Sequence, residues 1–152
     1  MTHWINQERE NVSWRKYIRW ESKLINKCKQ LDPKPDVMLG IARGGALLSL
    51  LMSYELRIPI CFYNKDMSVS ALTRKMYRIV GKHVNRVLIV DDVCDSGHTF
   101  EELNKKLPQP RWMGMDKVFV SLVYKPWSVF LPNFYIHRTE RWVIFPYEEN
   151  RK

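Results

Sequence analysis

Hydrophobic positions along this chain change their period several times, and the changes outline its elements. After Ser13, apolar residues at 14, 17, 18, 24, 25, 28 and 31 follow helical spacing, with Ser13 placed as an N-cap and Asp32, Pro33 and Pro35 ending the run. "DVMLGI" reads as a short buried strand, "RGG" as a turn, and "ALLSLLMSYEL" as a helix apolar almost all round, which must pack against a sheet. "IPICFY" is a second strand, "RVLIVDDV" the strongest strand of the chain, "TFEELNKKL" the helix after it and "KVFVSLVYK" a further strand. Strands alternating with helices predict an α/β fold: a single domain with a mostly parallel central sheet, flanked by helices and binding ligands at the strands' carboxyl ends.

Two segments depart from this alternation. Residues 64–85, "NKDMSVSALTRKMYRIVGKHVN", are polar and basic and long for a simple connection, which predicts a flexible functional loop. Met76, Ile79 and Val80 leave open an ordered portion within it. The tail, "KPWSVFLPNFYIHRTERWVIFPYEE", mixes prolines with many aromatics, and "RWVIFPYE" within it suggests a short edge strand or cap. We read it as a small C-terminal hood over residues 125–148.

Composition narrows the partners. With 152 residues, 45% of them hydrophobic, the chain suits one domain spanning residues 1–152 with a real core. The net charge of +9 favours an anionic partner, whether nucleic acid, a membrane surface or a phosphorylated small molecule. The longest apolar run, "ALLSLLM", is far below the roughly 18 residues of a membrane span, and "MTHWINQERE" carries no signal-peptide core. The expectation is a soluble, cytoplasmic protein with no membrane partner. Cys28, Cys61 and Cys94 stand far apart without metal-ligand spacing and read as buried free thiols.

The chemistry concentrates in "RVLIVDDVCDSGHTF". Placed as strand, loop and helix start, residues 96–99 bring unpaired amides and the positive end of a helix dipole to an anion, with the Ser96 and Thr99 hydroxyls beside them. Gly97 permits a close backbone approach. Asp91 and Asp92 point to opposite sides of an extended strand and so serve two tasks rather than one chelate. A phosphate, a vicinal diol and a bound Mg²⁺ on one ligand would use all of these groups, which describes a sugar phosphate. The residues alone also fit a strand that ends in two acids, with Asp95 as a helix cap. GxxxxGK[ST] and GxGxxG fingerprints are absent.

"VLIVDDVCDSGHT" resembles the phosphoribosyl pyrophosphate (PRPP) signature of type I phosphoribosyltransferases. "MLGIARGGALLSLLMSYELRI" resembles the pyrophosphate-binding turn and helix of the xanthine-guanine and hypoxanthine branch, a turn that often carries an unusual peptide geometry. "VYKPWSVFLPNFYIHRTERWVIFPYE" resembles that branch's base-recognition lysine and hood. The three cover most of the chain after Asp36, in family order.

The resemblance implies a Mg²⁺-dependent purine salvage enzyme. It would convert PRPP and a 6-oxopurine base to nucleoside monophosphate and pyrophosphate, working as a homodimer or homotetramer. Asp95, Ser96, Gly97, His98 and Thr99 would form the 5-phosphate loop, with His98 in its variable slot. Asp91 and Asp92 would serve the ribose hydroxyls and the metal, Asp92 on the metal side. Arg43 and Gly44 would meet pyrophosphate, with Arg43 stabilising leaving-group charge. Arg74, Lys75 and Arg78 would reach pyrophosphate from the closing loop. Asp95 would assist proton transfer at the purine's imidazole side, Lys125 would donate to the 6-oxo group, Trp142 would stack on the base and the Val143 backbone would meet its 2-position.

One departure concerns Ile144, where relatives selective for xanthine or guanine often carry an acid; it ranks hypoxanthine and guanine above xanthine. Highly anionic PRPP accounts for the positive charge without nucleic acid. The alternative is a PRPP- or nucleotide-binding regulator of the same fold that binds RNA or DNA.

Overall fold

The computed structural model describes residues 8–108 and 114–148; the first seven residues, read above for a leader, lie outside them. In chain order it contains β1 (Arg9–Asn11), α1 (Trp14–Cys28), β2 (Val37–Ile41), α2 (Gly45–Leu56), β3 (Ile60–Tyr63), α3 (Val69–Val80), β4 (Arg86–Cys94), α4 (His98–Lys106), β5 (Asp116–Tyr124), β6 (Phe134–Arg138) and β7 (Trp142–Ile144). Five strands form one parallel sheet in the order β3-β2-β4-β5-β6. This is the predicted α/β architecture.

The sheet order positions the site. From β2 the chain moves outward to β3, whereas from β4 it moves the other way to β5 and β6, so the connections diverge between β2 and β4. A crevice opens at the carboxyl ends of the strands where connections diverge in this way. Both motifs singled out from the sequence, "ARGG" after β2 and "DDVCDSGHT" at the end of β4, arrive there.

Period-2 alternation divides the core between the two faces. Met38, Leu88, Val90, Val120 and Leu122 face α1 and α2, whose Tyr17, Leu24, Leu48 and Met52 are fully buried against them. Val37, Leu39, Val87, Ile89 and Phe119 face α3 and α4, represented by Leu72, Met76, Phe100 and Leu103. With both faces covered, the central strands read as continuous apolar runs. Cys28, Cys61 and Cys94 are buried free thiols in these layers. Among the described residues no helix is long and apolar enough to cross a membrane.

Residues 64–85, expected as a flexible loop, are largely helical. Ser68 N-caps α3 by accepting from the Ala71 amide at 3.2 Å, Gly81 ends it in the left-handed region at φ +71°, and Leu72 and Met76 anchor it. The N-terminal strand was not anticipated: β1 pairs in parallel with β7, Glu10 opposite Val143. The tail thus includes the expected short strand, held by the opposite end of the chain.

Candidate active site

At the end of β2 the backbone turns through Ala42–Arg43, a cis peptide, and enters α2 at Gly45. Gly44 lies so close to the acidic pair that a Cβ on it would sit 2.6 Å from Asp92 Oδ1. Only glycine fits this approach without displacing the carboxylate. The Arg43 side chain is exposed beside it.

The two aspartates, expected on opposite sides of the strand, are near enough for their carboxyl groups to interact. The Asp92 amide donates to Asp91 Oδ1 at 2.9 Å, the Val93 amide to Asp92 Oδ1 at 2.8 Å, and the Tyr147 hydroxyl to Asp92 Oδ2 at 2.6 Å. Burial, then the neighbouring Asp92 charge, raise the Asp91 pKa well above the usual carboxylate range; the Lys65 ammonium opposes them. Burial and Asp92 push the Tyr147 hydroxyl far up, so it remains a donor. Tyr17, itself fully buried, packs edge-on against both Tyr147 and Phe145 at 5.9 Å.

The loop after β4 follows from Gly97, which N-caps α4 at φ +80°. A Cβ there would lie 2.3 Å from Ser128 Oγ and 2.7 Å from the Phe130 amide nitrogen, so glycine is required by conformation and by space. The loop is fastened to the start of the hood: the Lys125 amide donates to the Cys94 carbonyl at 3.0 Å and the Val129 amide to the Ser96 carbonyl at 2.9 Å. A cavity of about 100 Å³ is lined by Asp91, Val93, Cys94, Asp95, Ser96, Gly97, Thr99 and Phe100.

A larger cavity, about 230 Å³, adjoins it and shares Val93 and Asp95. Its remaining walls are Gly44, Asp92, Lys125, Trp142, Val143, Phe145 and Glu148. Lys125 is only 2% exposed; its ammonium donates to the Arg141 carbonyl and lies 5.5 Å from the centre of the Trp127 ring. Burial lowers its pKa, partly offset by the charges of Asp95 and Glu10. β1 steadies this wall. Burial pushes the Glu10 carboxyl up, but Lys16 at 2.7 Å and His137 at 3.0 Å outweigh it and hold the group below its ordinary value.

Most residues selected from the sequence therefore converge on two joined cavities. Three do not. The His98 ring turns to solvent beside Glu101 at 3.7 Å, because His98 is the first residue of α4 and only its amide faces back, donating to Ser96 Oγ at 3.4 Å. Arg74 and Lys75 are exposed on α3 and line neither cavity, since the helix turns Leu72 and Met76 inward instead. The charge acting on Asp91 from that connection comes from Lys65. Sequence reasoning also missed Tyr147, Glu148 and Trp127. All lie within "KPW" or "FPYE", segments already quoted, but only the fold gives them their partners.

The model of the phosphoribosyl transferase domain family matches residues 9–107. The chain belongs to this family. It is 34% identical over 114 residues to a protein of Methanococcus maripaludis named "Transcriptional regulator GfcR", covering 66% of this chain and 53% of that protein. It thus spans about half the length of the curated relatives it matches. A solved purine phosphoribosyltransferase from Pyrococcus horikoshii superposes with a TM-score of 0.71 at 28% identity, over 93% of this chain and 95% of that one. The xanthine-guanine-hypoxanthine phosphoribosyltransferase of Helicobacter pylori gives 0.75 at 18% identity with the same coverages, a likeness of fold. The predicted type I phosphoribosyltransferase fold is the fold of this chain.

Proposed function

We propose that this chain transfers the phosphoribosyl group of PRPP to a 6-oxopurine base. The observation that carries the reading is the buried ammonium of Lys125 in a cavity that meets the anion loop at Asp95. In this reading the 5-phosphate lies on the amides and hydroxyls of residues 95–99, and the base lies between Trp142 and Val143 with its 6-oxo group toward Lys125. The bond from C1 of the ribose to pyrophosphate breaks as the bond to the base nitrogen forms, and the imidazole proton passes to Asp95. The Gly44 amide and the Arg43 guanidinium receive the departing charge.

Mg²⁺ belongs to the proposal too. Among the described residues no three acidic, histidine or cysteine side chains converge as a cage. The acidic pair with substrate oxygens nonetheless suits a hard cation that usually takes one or two protein carboxylates. Asp92, fixed by Tyr147, would hold it, with Asp91 left for the ribose hydroxyls, and when bound it would neutralise leaving-group charge. Guanine and hypoxanthine rank first: Ile144 offers no acid, but the Glu148 carboxylate on the cavity wall favours a ring carrying a donor. Exposed Tyr54 and Leu50 on α2, with Trp14 and Ile18 on α1, support a homodimer or higher oligomer, which light scattering tests.

The experiment is nucleotide formation from PRPP and Mg²⁺ with hypoxanthine, guanine, xanthine, adenine, orotate and uracil in parallel, with Asp95→Asn as control. Turnover of 6-oxopurines alone, lost in the control, supports the reading; turnover of adenine or a pyrimidine in their place overturns it. The regulator reading has its own support in the name of the matched curated relatives. Arg15, Arg19, Lys23 and Lys27, four residues apart along α1, add to it, since none pairs with a carboxylate among the described residues. Salt-sensitive nucleic-acid binding without turnover would favour it.

A further inference from the structure

Trp127 has no role in the reading so far, yet it touches both polar groups assigned to the base. Its indole Nε1–H donates to Asp95 Oδ1 at 2.9 Å, and its ring lies under the Lys125 ammonium. The side chain is 44% exposed, so core burial does not explain its position. Backbone bonds do. The Ser128 amide closes a turn onto the Lys125 carbonyl at 3.0 Å, and the bonds from Lys125 and Val129 to Cys94 and Ser96 tie that turn to the two sides of Asp95. The indole is thereby delivered to the carboxylate by the scaffold.

We propose that Trp127 is a positioning residue for Asp95, an inference that rests on the phosphoribosyl transfer reading. Asp95 sits on a loop, and an aspartate side chain has two torsions to restrain. The indole N–H is a donor only, so it can hold a carboxylate oxygen but cannot compete for a proton. It engages one oxygen and leaves the other for the imidazole side of the base. Such restraint matters because a displacement of about 1 Å at a reacting group can cost on the order of 100-fold in rate. The ring meanwhile gives Lys125 a cation–π contact, which phenylalanine would keep in weakened form.

The test is a double-mutant cycle over Trp127→Phe, Asp95→Asn and the pair, read by single-turnover nucleotide formation and by calorimetric affinity for the nucleoside monophosphate. We expect Trp127→Phe to lower kcat by roughly 10- to 100-fold, with KM for PRPP unchanged because the phosphate loop is intact. In the Asp95→Asn background, where transfer is lost and nucleotide affinity is the readout, the same change should have no further effect, and Trp127→His alone, which keeps a ring N–H, should recover part of the rate lost in Trp127→Phe. A purely structural role would reduce both backgrounds equally and lower the melting temperature; equal losses, or an unchanged kcat, would overturn the proposal. Absence of turnover in the wild type with every base would instead overturn the transfer reading. The same cycle is then read in nucleotide affinity, where coupling between the two positions supports the contact and its absence sinks it.

Discussion

Replacing Lys125 with methionine separates the lysine's contribution to recognition from its contribution to stability. Methionine approximates the stem but removes the ammonium, which the Arg141 carbonyl holds, from a residue only 2% exposed. A hydrogen bond from a charged donor contributes about 1.5–3 kcal/mol, so losing the bond to a 6-oxo group should lower kcat/KM for hypoxanthine by roughly 10- to 150-fold. Adenine, which presents a donor there, should lose nothing. Stability should move little at neutral pH, since the variant loses one hydrogen bond but also one desolvated charge. Its pH dependence should change in a definite direction. Burial depresses the Lys125 pKa below 10.5, so between that lowered value and the ordinary one the unfolded chain binds more protons than the native protein. Wild-type stability therefore gains from this group as pH rises through the alkaline window, and Lys125→Met should flatten that gain. Steady-state rates with the two bases and urea titrations across that window provide the measurements. An unchanged hypoxanthine-to-adenine ratio in an active variant would refute the assignment of Lys125 to the base.

Other expectations follow from single contacts. Gly97→Ala forces a side chain into the left-handed region, about 1–2 kcal/mol, and against the Phe130 backbone, roughly 1–3 kcal/mol more; chemical denaturation should report the loss and KM for PRPP should rise. Asp91→Asn removes a half-buried carboxylate from beside Asp92, so it should raise the melting temperature of the free protein while weakening PRPP binding by calorimetry. Burial pushes the thiols of Cys28, Cys61 and Cys94 up to about 12, 11 and 11. The native protein should therefore resist alkylation at mildly alkaline pH, and mass spectrometry should find all three modified only after unfolding.

The central strands were legible because burial on both faces leaves no polar positions to confuse the pattern: "VMLGI" is buried throughout. β1 was not legible, since "REN" has no apolar residue and forms a strand only because β7 lies alongside. The helix in residues 64–85 was obscured because just Leu72 and Met76 of its 12 residues are buried. The site divides in the same way. "DDVCDSGHT" could be placed because it is contiguous, a strand end running into the start of a helix. Tyr147 and Asp92 stand 55 residues apart, and Trp127 and Asp95 stand 32 apart. Those pairs are made by the order of strands in the sheet, which no local pattern encodes.

The choice between a transferase and a nucleotide sensor turns on Asp95 more than on the phosphate loop. A sensor of nucleoside monophosphate could use both cavities, the Lys125 ammonium and the Trp142 ring as well as an enzyme could. It would gain nothing from a carboxylate facing the imidazole side of a finished nucleotide, because that nitrogen has become an acceptor and two acceptors repel. A carboxylate in that place is useful while the base still carries the proton to be removed, and it weakens the hold on product afterwards. Interactions that favour the reacting state over the bound product raise turnover rather than affinity. Asparagine could turn its amide donor to the same nitrogen. The two readings therefore assign opposite consequences to one substitution: Asp95→Asn should abolish transfer and tighten nucleotide binding in an enzyme, whereas in a protein selected to hold nucleotide the native residue should already be the tighter one.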